Sequence, residues 1–186
     1  MQQHMLDGGF SAPPVDSATA FRAIMTAMAQ PGTIHRVTGA LPPMPVSVAA
    51  GVVVLTLCDP ETPLFLGASH DNTALRDWIT FHSAAPLVAA GAAHFALGVW
   101  DDLPLGSFTR GTAEYPDRSA TVIVELPELA NHGAVLRGPG IKDQAQLSLP
   151  DIGFFQRNSA QFPLGPDFIF TCGDRLAALP RSTRVG

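Results

Sequence analysis

The sequence predicts an α/β domain, a mixed β-sheet flanked by helices, on three observations. Helix-like and strand-like segments are interspersed along the whole chain rather than gathered in separate blocks. The segment from Ala120 to Leu126 is strongly β-branched, as buried strands are. Near the C-terminus, Phe168-Ile169-Phe170-Thr171 and Leu176-Ala177-Ala178-Leu179 flank the turn Cys172-Gly173-Asp174-Arg175. That pair reads as an antiparallel hairpin, while the earlier crossovers suit parallel pairing, so the sheet is mixed. A chain of 186 residues suits one core. We divide it into an irregular arm over 1–14 and a single domain over 15–186.

The elements follow in order. The arm contains Gly8-Gly9 and Pro13-Pro14 and shows no apolar period. Asp16 and Ser17 are N-cap residues for a helix reaching Gln30, with Phe21, Ile24, Met25 and Met28 on its packed face and Arg22 and Thr26 pointing away. Pro31-Gly32 ends that helix. Thr33 to Val37 can form a short strand, and Pro42, Pro43 and Pro45 stiffen the linker after it. From Val46 to Leu57 the residues are small or apolar on all sides. We read a buried helix there, although Val52-Val53-Val54 also suits a strand. Pro63 to Gly67 is a short strand. Asp71 or Asn72 then caps a helix to His82, which packs Leu75, Trp78 and Ile79.

His94 to Trp100 reads as a strand, Asp101 to Thr109 as a loop, and Ala134 to Arg137 as a strand entering the turn Gly138-Pro139-Gly140. The last helix spans Asp151 to Ser159, before the hairpin. No internal repeat is visible.

Composition excludes several classes of function. The net charge is −5, with ten arginines and one lysine, so no basic field attracts nucleic acid. The most apolar stretch, Pro45 to Cys58, is too short to span a bilayer. Two cysteines, Cys58 and Cys172, make no disulfide framework, and the N-terminus lacks the pattern of a secretion signal, so a cytoplasmic location is expected. The six histidines lack the short pairings of metal ligands, and we assign no metal. Hydrophobic residues make up 46% and charged residues 15%, a balance that agrees with a protein carrying interfaces.

Two stretches are candidate binding sites. In the first, Arg137 leads into Gly138-Pro139-Gly140, where glycine N–H groups and a guanidinium could meet an oxyanion. The second is the tail Pro180-Arg181-Ser182-Thr183-Arg184, in which Arg181 and Thr183 could grip a phosphate or face a partner. The site expected is therefore Arg137, Gly138, Gly140, Arg181 and Thr183, with no catalytic residue. His70-Asp71 and His35-Arg36 could serve acid–base chemistry, without a visible nucleophile beside them. Cys172 could be activated by Arg175, or be a plain turn residue.

The run Phe162-Pro163-Leu164-Gly165-Pro166-Asp167, the hairpin after it and the terminal Pro180-Arg181-Ser182-Thr183 resemble the C-terminal signature of the PhnH family. Further collinear matches are Phe21-Arg22 with Met28-Ala29-Gln30-Pro31-Gly32, Leu55-Thr56-Leu57-Cys58-Asp59 with Thr62-Pro63, and Phe81-His82 with Ala85-Pro86-Leu87-Val88. Gly111-Thr112 and Leu136-Arg137-Gly138-Pro139-Gly140-Ile141 complete the set. The resemblance implies a subunit of the bacterial carbon–phosphorus lyase complex, partnered by the G, I and J subunits and able to form a homodimer when isolated. It implies a role in forming ribose 1-alkylphosphonate 5-triphosphate from a nucleoside triphosphate and an alkylphosphonate. It also implies a fold like the large domain of pyridoxal-phosphate-dependent aminotransferases, without the cofactor. A Schiff base would have to use Lys142, the sole lysine, and no cofactor is assigned. The alternative is a free-standing ligand-binding protein or enzyme acting on a phosphorylated small molecule.

Overall fold

The structure is a computed structural model that describes residues 7–186; residues 1–6 of the expected arm lie outside the described residues. Helix α1 (Pro13–Ala29) begins inside the expected arm, because Pro13 and Pro14 occupy its first turn, where the missing N–H groups would have no helical partner. Asp16 does not cap by preceding the helix. Its carboxylate instead accepts from the backbone N–H of Ala12 at 2.8 Å.

Strand β1 (His35–Arg36) is followed by helix α2 (Val48–Leu57), so the ambiguous valine-rich stretch is helical. Ser47 decides its start, accepting the N–H of Ala50 at 3.1 Å. Then come β2 (Leu64–Leu66), α3 (Thr73–His82) and β3 (Phe95–Val99). Asn72 rather than Asp71 caps α3, accepting from the Leu75 N–H at 3.0 Å, while Asp71 pairs with Arg76. Strand β4 (Thr121–Glu125) leads to β5 (Ala134–Arg137), β6 (Ala145–Leu147) and α4 (Ile152–Ser159). The chain closes with β7 (Asp167–Cys172), β8 (Arg175–Leu179) and β9 (Arg184–Val185).

Six strands form the main sheet in the order β1-β8-β7-β4-β3-β2. Strands β2, β3, β4 and β7 are parallel, and β8 and β1 pair antiparallel at the edge, which gives the mixed sheet expected. A second sheet, β6-β5-β9, includes the chain terminus. Strands β6 and β9 escape sequence reading, being only three and two residues long. The tail is consequently part of a sheet, with β9 held against β5.

Side-chain alternation on the sheet separates two cores. On one face Leu97, Ile123 and Ile169 pack under α1, α2 and α3, against Ile24, Val53 and Trp78. On the other, Val122, Val124, Phe168 and Phe170 pack with Phe155 of α4 and with Leu136 and Leu147 of the small sheet. The face of α1 differs from expectation. Ala20, Ile24 and Ala27 are buried, whereas Phe21 and Met25 stand 47% and 49% exposed. Small residues at the contact let α1 lie close to α2 and β8 and leave the bulky pair on its flank. His94, expected to open a strand, precedes β3 and is exposed.

Candidate functional site

The tertiary structure brings the two expected stretches together. Arg137 and Arg184 face each other across the β5–β9 pair, and a Cβ added at Gly138 would touch Ser182 and Thr183. Arg137 is exposed and donates to Gln144 Oε1 at 3.0 Å. Gly140 (φ 79°) sits against the last turn of α1, where an added Cβ would collide with the carbonyl oxygen of Ala29. Only a residue without a side chain fits there. Lys142 stands exposed in the turn between β5 and β6.

Arg181 is engaged from every side. Its backbone N–H and Nε donate to Asp167 Oδ1 at 2.8 and 3.1 Å, and Nη2 donates to Asp167 Oδ2 at 2.6 Å. Nη1 donates to the carbonyls of Pro116 and Pro163 at 2.5 and 3.3 Å. This bidentate pair ties the tail to the start of β7. Thr183 is buried, and among the described residues its Oγ1 has no hydrogen-bonding partner.

A second constellation lies beyond the carboxyl ends of the parallel strands, where open α/β sheets hold their ligands. A crevice of about 630 Å³ is lined by Ser69, His70, Val99, Trp100, Asp101, Glu125 and Leu126, together with Pro45, Pro127 and Pro150. Strand register builds it: Val99 ends β3 beside Glu125 at the end of β4, and Glu125 lies beside Thr171 of β7. Ser47 reaches in from the N-terminus of α2, its N–H donating to Glu125 Oε1 at 2.7 Å, and the Thr171 hydroxyl donates to Oε2 at 3.1 Å. Burial pushes the Glu125 carboxyl above its ordinary range, and the hydrogen bonds from Ser47 and Thr171 oppose that rise.

The turn after β2 carries the remaining groups. Asp102 accepts the Ser69 backbone N–H at 2.8 Å. Ser69 Oγ lies 2.9 Å from His70 Nδ1. His70 is buried, which holds its pKa below the ordinary value against the opposing charge of Asp102. Hydrogen bonding to Ser69 holds the Asp102 carboxyl low. Among the described residues no group of three or more histidine, cysteine or acidic side chains is placed to hold a metal ion. No described helix is long and apolar enough to cross a membrane.

Sequence reading singled out His70 but missed Glu125, which looks like the polar end of a β-branched strand. The available signal was its place: a carboxylate ending an interior parallel strand points to the ligand-binding edge.

A family model described as bacterial phosphonate metabolism protein (PhnH) matches residues 8–186. This chain belongs to the PhnH family. One member, the alpha-D-ribose 1-methylphosphonate 5-triphosphate synthase subunit PhnH of Rhizobium meliloti (strain 1021), is 36% identical over 196 residues. That alignment covers 99% of this chain and 97% of the relative. The HtxG protein of Stutzerimonas stutzeri, whose name assigns it provisionally as a C-P lyase subunit, is 30% identical across 97% of this chain and 96% of its own length. The family match spans both the crevice and the C-terminal edge.

Proposed function

We propose that this chain is a subunit of a carbon–phosphorus lyase assembly in phosphonate catabolism. In this reading it supplies a structural or binding surface for the formation of ribose 1-alkylphosphonate 5-triphosphate from a nucleoside triphosphate and an alkylphosphonate. The observation that carries this is the match, along nearly the whole of both chains, to a named subunit of the methylphosphonate triphosphate synthase. The assembly is cytoplasmic, its partners are the G, I and J subunits, and the isolated chain pairs with itself. The likeness to the aminotransferase large domain belongs to the same reading; four parallel strands with packed cores on both faces support it.

Within this assembly the C-terminal edge meets a partner. Arg137, with Gly138 and Gly140 behind it, offers the exposed charge, and Arg181 and Thr183 hold the tail that carries Arg184 beside it. Tagged co-expression with the G, I and J subunits, followed by size-exclusion chromatography with light scattering, tests both statements. The wild-type chain is expected to co-elute in a larger particle. Arg137→Ala should leave its fold and thermal midpoint unchanged while weakening co-elution. A chain that stays alone beside well-folded partners would sink the subunit reading. Full co-elution of the Arg137 variant would remove the edge from the interface.

A further inference from the structure

The crevice holds a buried polar atom that the fold does not use. His70 is 2% exposed, and among the described residues its Nε2 has no hydrogen-bonding partner. Its Nδ1 lies 2.9 Å from Ser69 Oγ, so Nε2 is the ring nitrogen that the fold leaves unused.

The carboxylates of the lining are hydrogen-bond acceptors. Each oxygen of Glu125 takes one hydrogen bond from the fold and keeps a lone pair. Asp101 places a second carboxylate in the lining, and its side chain is exposed. Val99, Trp100, Leu126 and three proline rings form the apolar walls. The lining contains no arginine or lysine, so a phosphate or phosphonate would meet like charge without a counter-charge. The cavity volume falls in the range of small-molecule sites.

We propose that this crevice binds a flat nitrogen heterocycle or amidine that bears no negative charge and presents an N–H-donating edge. Glu125 accepts from that edge, and Trp100 flanks the ring. The phosphorylated part of any larger ligand lies outside the crevice. This inference does not depend on the assembly reading, because the isolated full chain can be tested directly.

Trp100 provides the readout. The chain has two tryptophans, and Trp78 is fully buried under the opposite face of the sheet. Guanosine and benzamidine are the probes, with methylphosphonate and inorganic phosphate as anionic competitors. Both probes should change the fluorescence saturably, the change should vanish in Trp100→Phe, and neither competitor should displace them. Glu125→Gln should weaken both probes by about tenfold or more, the loss of one charged hydrogen bond. Asp101→Asn keeps the test decisive if Glu125→Gln fails to fold, since its side chain is exposed. It should weaken the cationic benzamidine by several-fold and leave guanosine nearly unchanged. The proposal is overturned if neither probe gives a saturable change up to its solubility limit. It also fails if methylphosphonate binds in their place, or if both carboxylate variants bind benzamidine as the wild type does.

Discussion

The C-terminal edge and the crevice differ in how their polar groups are used. At the edge, Arg181 donates five hydrogen bonds to the rest of the fold, and Gly140 leaves no room for a side chain. In the crevice, His70 Nε2 is unpartnered among the described residues and Glu125 keeps free lone pairs. Residue types that suggest anion binding in a sequence can thus serve to fasten a tail. The groups that build the crevice and hold its carboxylate lie on segments as far apart as Ser47, His70, Glu125 and Thr171. A residue's chemical type shows what it can bond, and only its surroundings show whether that capacity is already filled.

The comparison breaks most readily at Gly140. Gly140→Ala would place a Cβ on the Ala29 carbonyl oxygen at a φ of 79°. It should cost roughly 3 kcal/mol or more, measured by urea unfolding. A loss under about 1 kcal/mol would mean that the turn moves freely and suits an adaptable site. Next is Asp167→Ala. It leaves the Arg181 guanidinium, whose side chain is only 14% exposed, with carbonyl partners alone. We expect a loss of about 2 kcal/mol, less than for a fully buried pair, and a tail that is cut sooner by protease. An unchanged urea midpoint would show that the pair does not fasten the edge.

The smallest effect sharpens the other side of the comparison. The Glu125 carboxyl is raised from its ordinary value of 4.5 by burial, so the folded state binds its proton more tightly than the unfolded chain does. Its contribution to stability is full below the unfolded value and is lost as pH rises through the folded one. Glu125→Gln removes this dependence and keeps an acceptor for the Ser47 N–H. Relative to the variant, the wild type should therefore lose stability as pH rises from 4.5 through that window. A difference that stays constant, or grows the other way, would mean that the hydrogen bonds from Ser47 and Thr171 outweigh burial.

Much of the fold was legible because local chemistry agreed with it. Asp151 caps α4, accepting the Phe154 N–H at 2.8 Å, and Gly173-Asp174 turns the β7–β8 hairpin with Cys172 beside Arg175. The face of α1 was not legible, because Phe21 and Met25 fit a helical stripe as well as Ala20 and Ala27 do. Hydrophobic period ranks the larger side chains first, whereas close approach to α2 favours the smaller ones. Strands β6 and β9 were hidden for another reason. Segments this short have no pattern of their own and become strands only when β5 supplies their hydrogen bonds.

By itself, then, the sequence determined the α/β class, the order of most elements, the turns and caps, and the family resemblance that its C-terminal run carries. These depend on neighbours a few residues apart, whose backbone preferences and hydrogen bonds are local. The tertiary structure alone decided that Arg181 belongs to Asp167, that the tail is a strand, and that Glu125, His70 and Trp100 share one crevice. Those outcomes depend on parallel register between distant strands, and burial and strand register emerge only when the sheet closes.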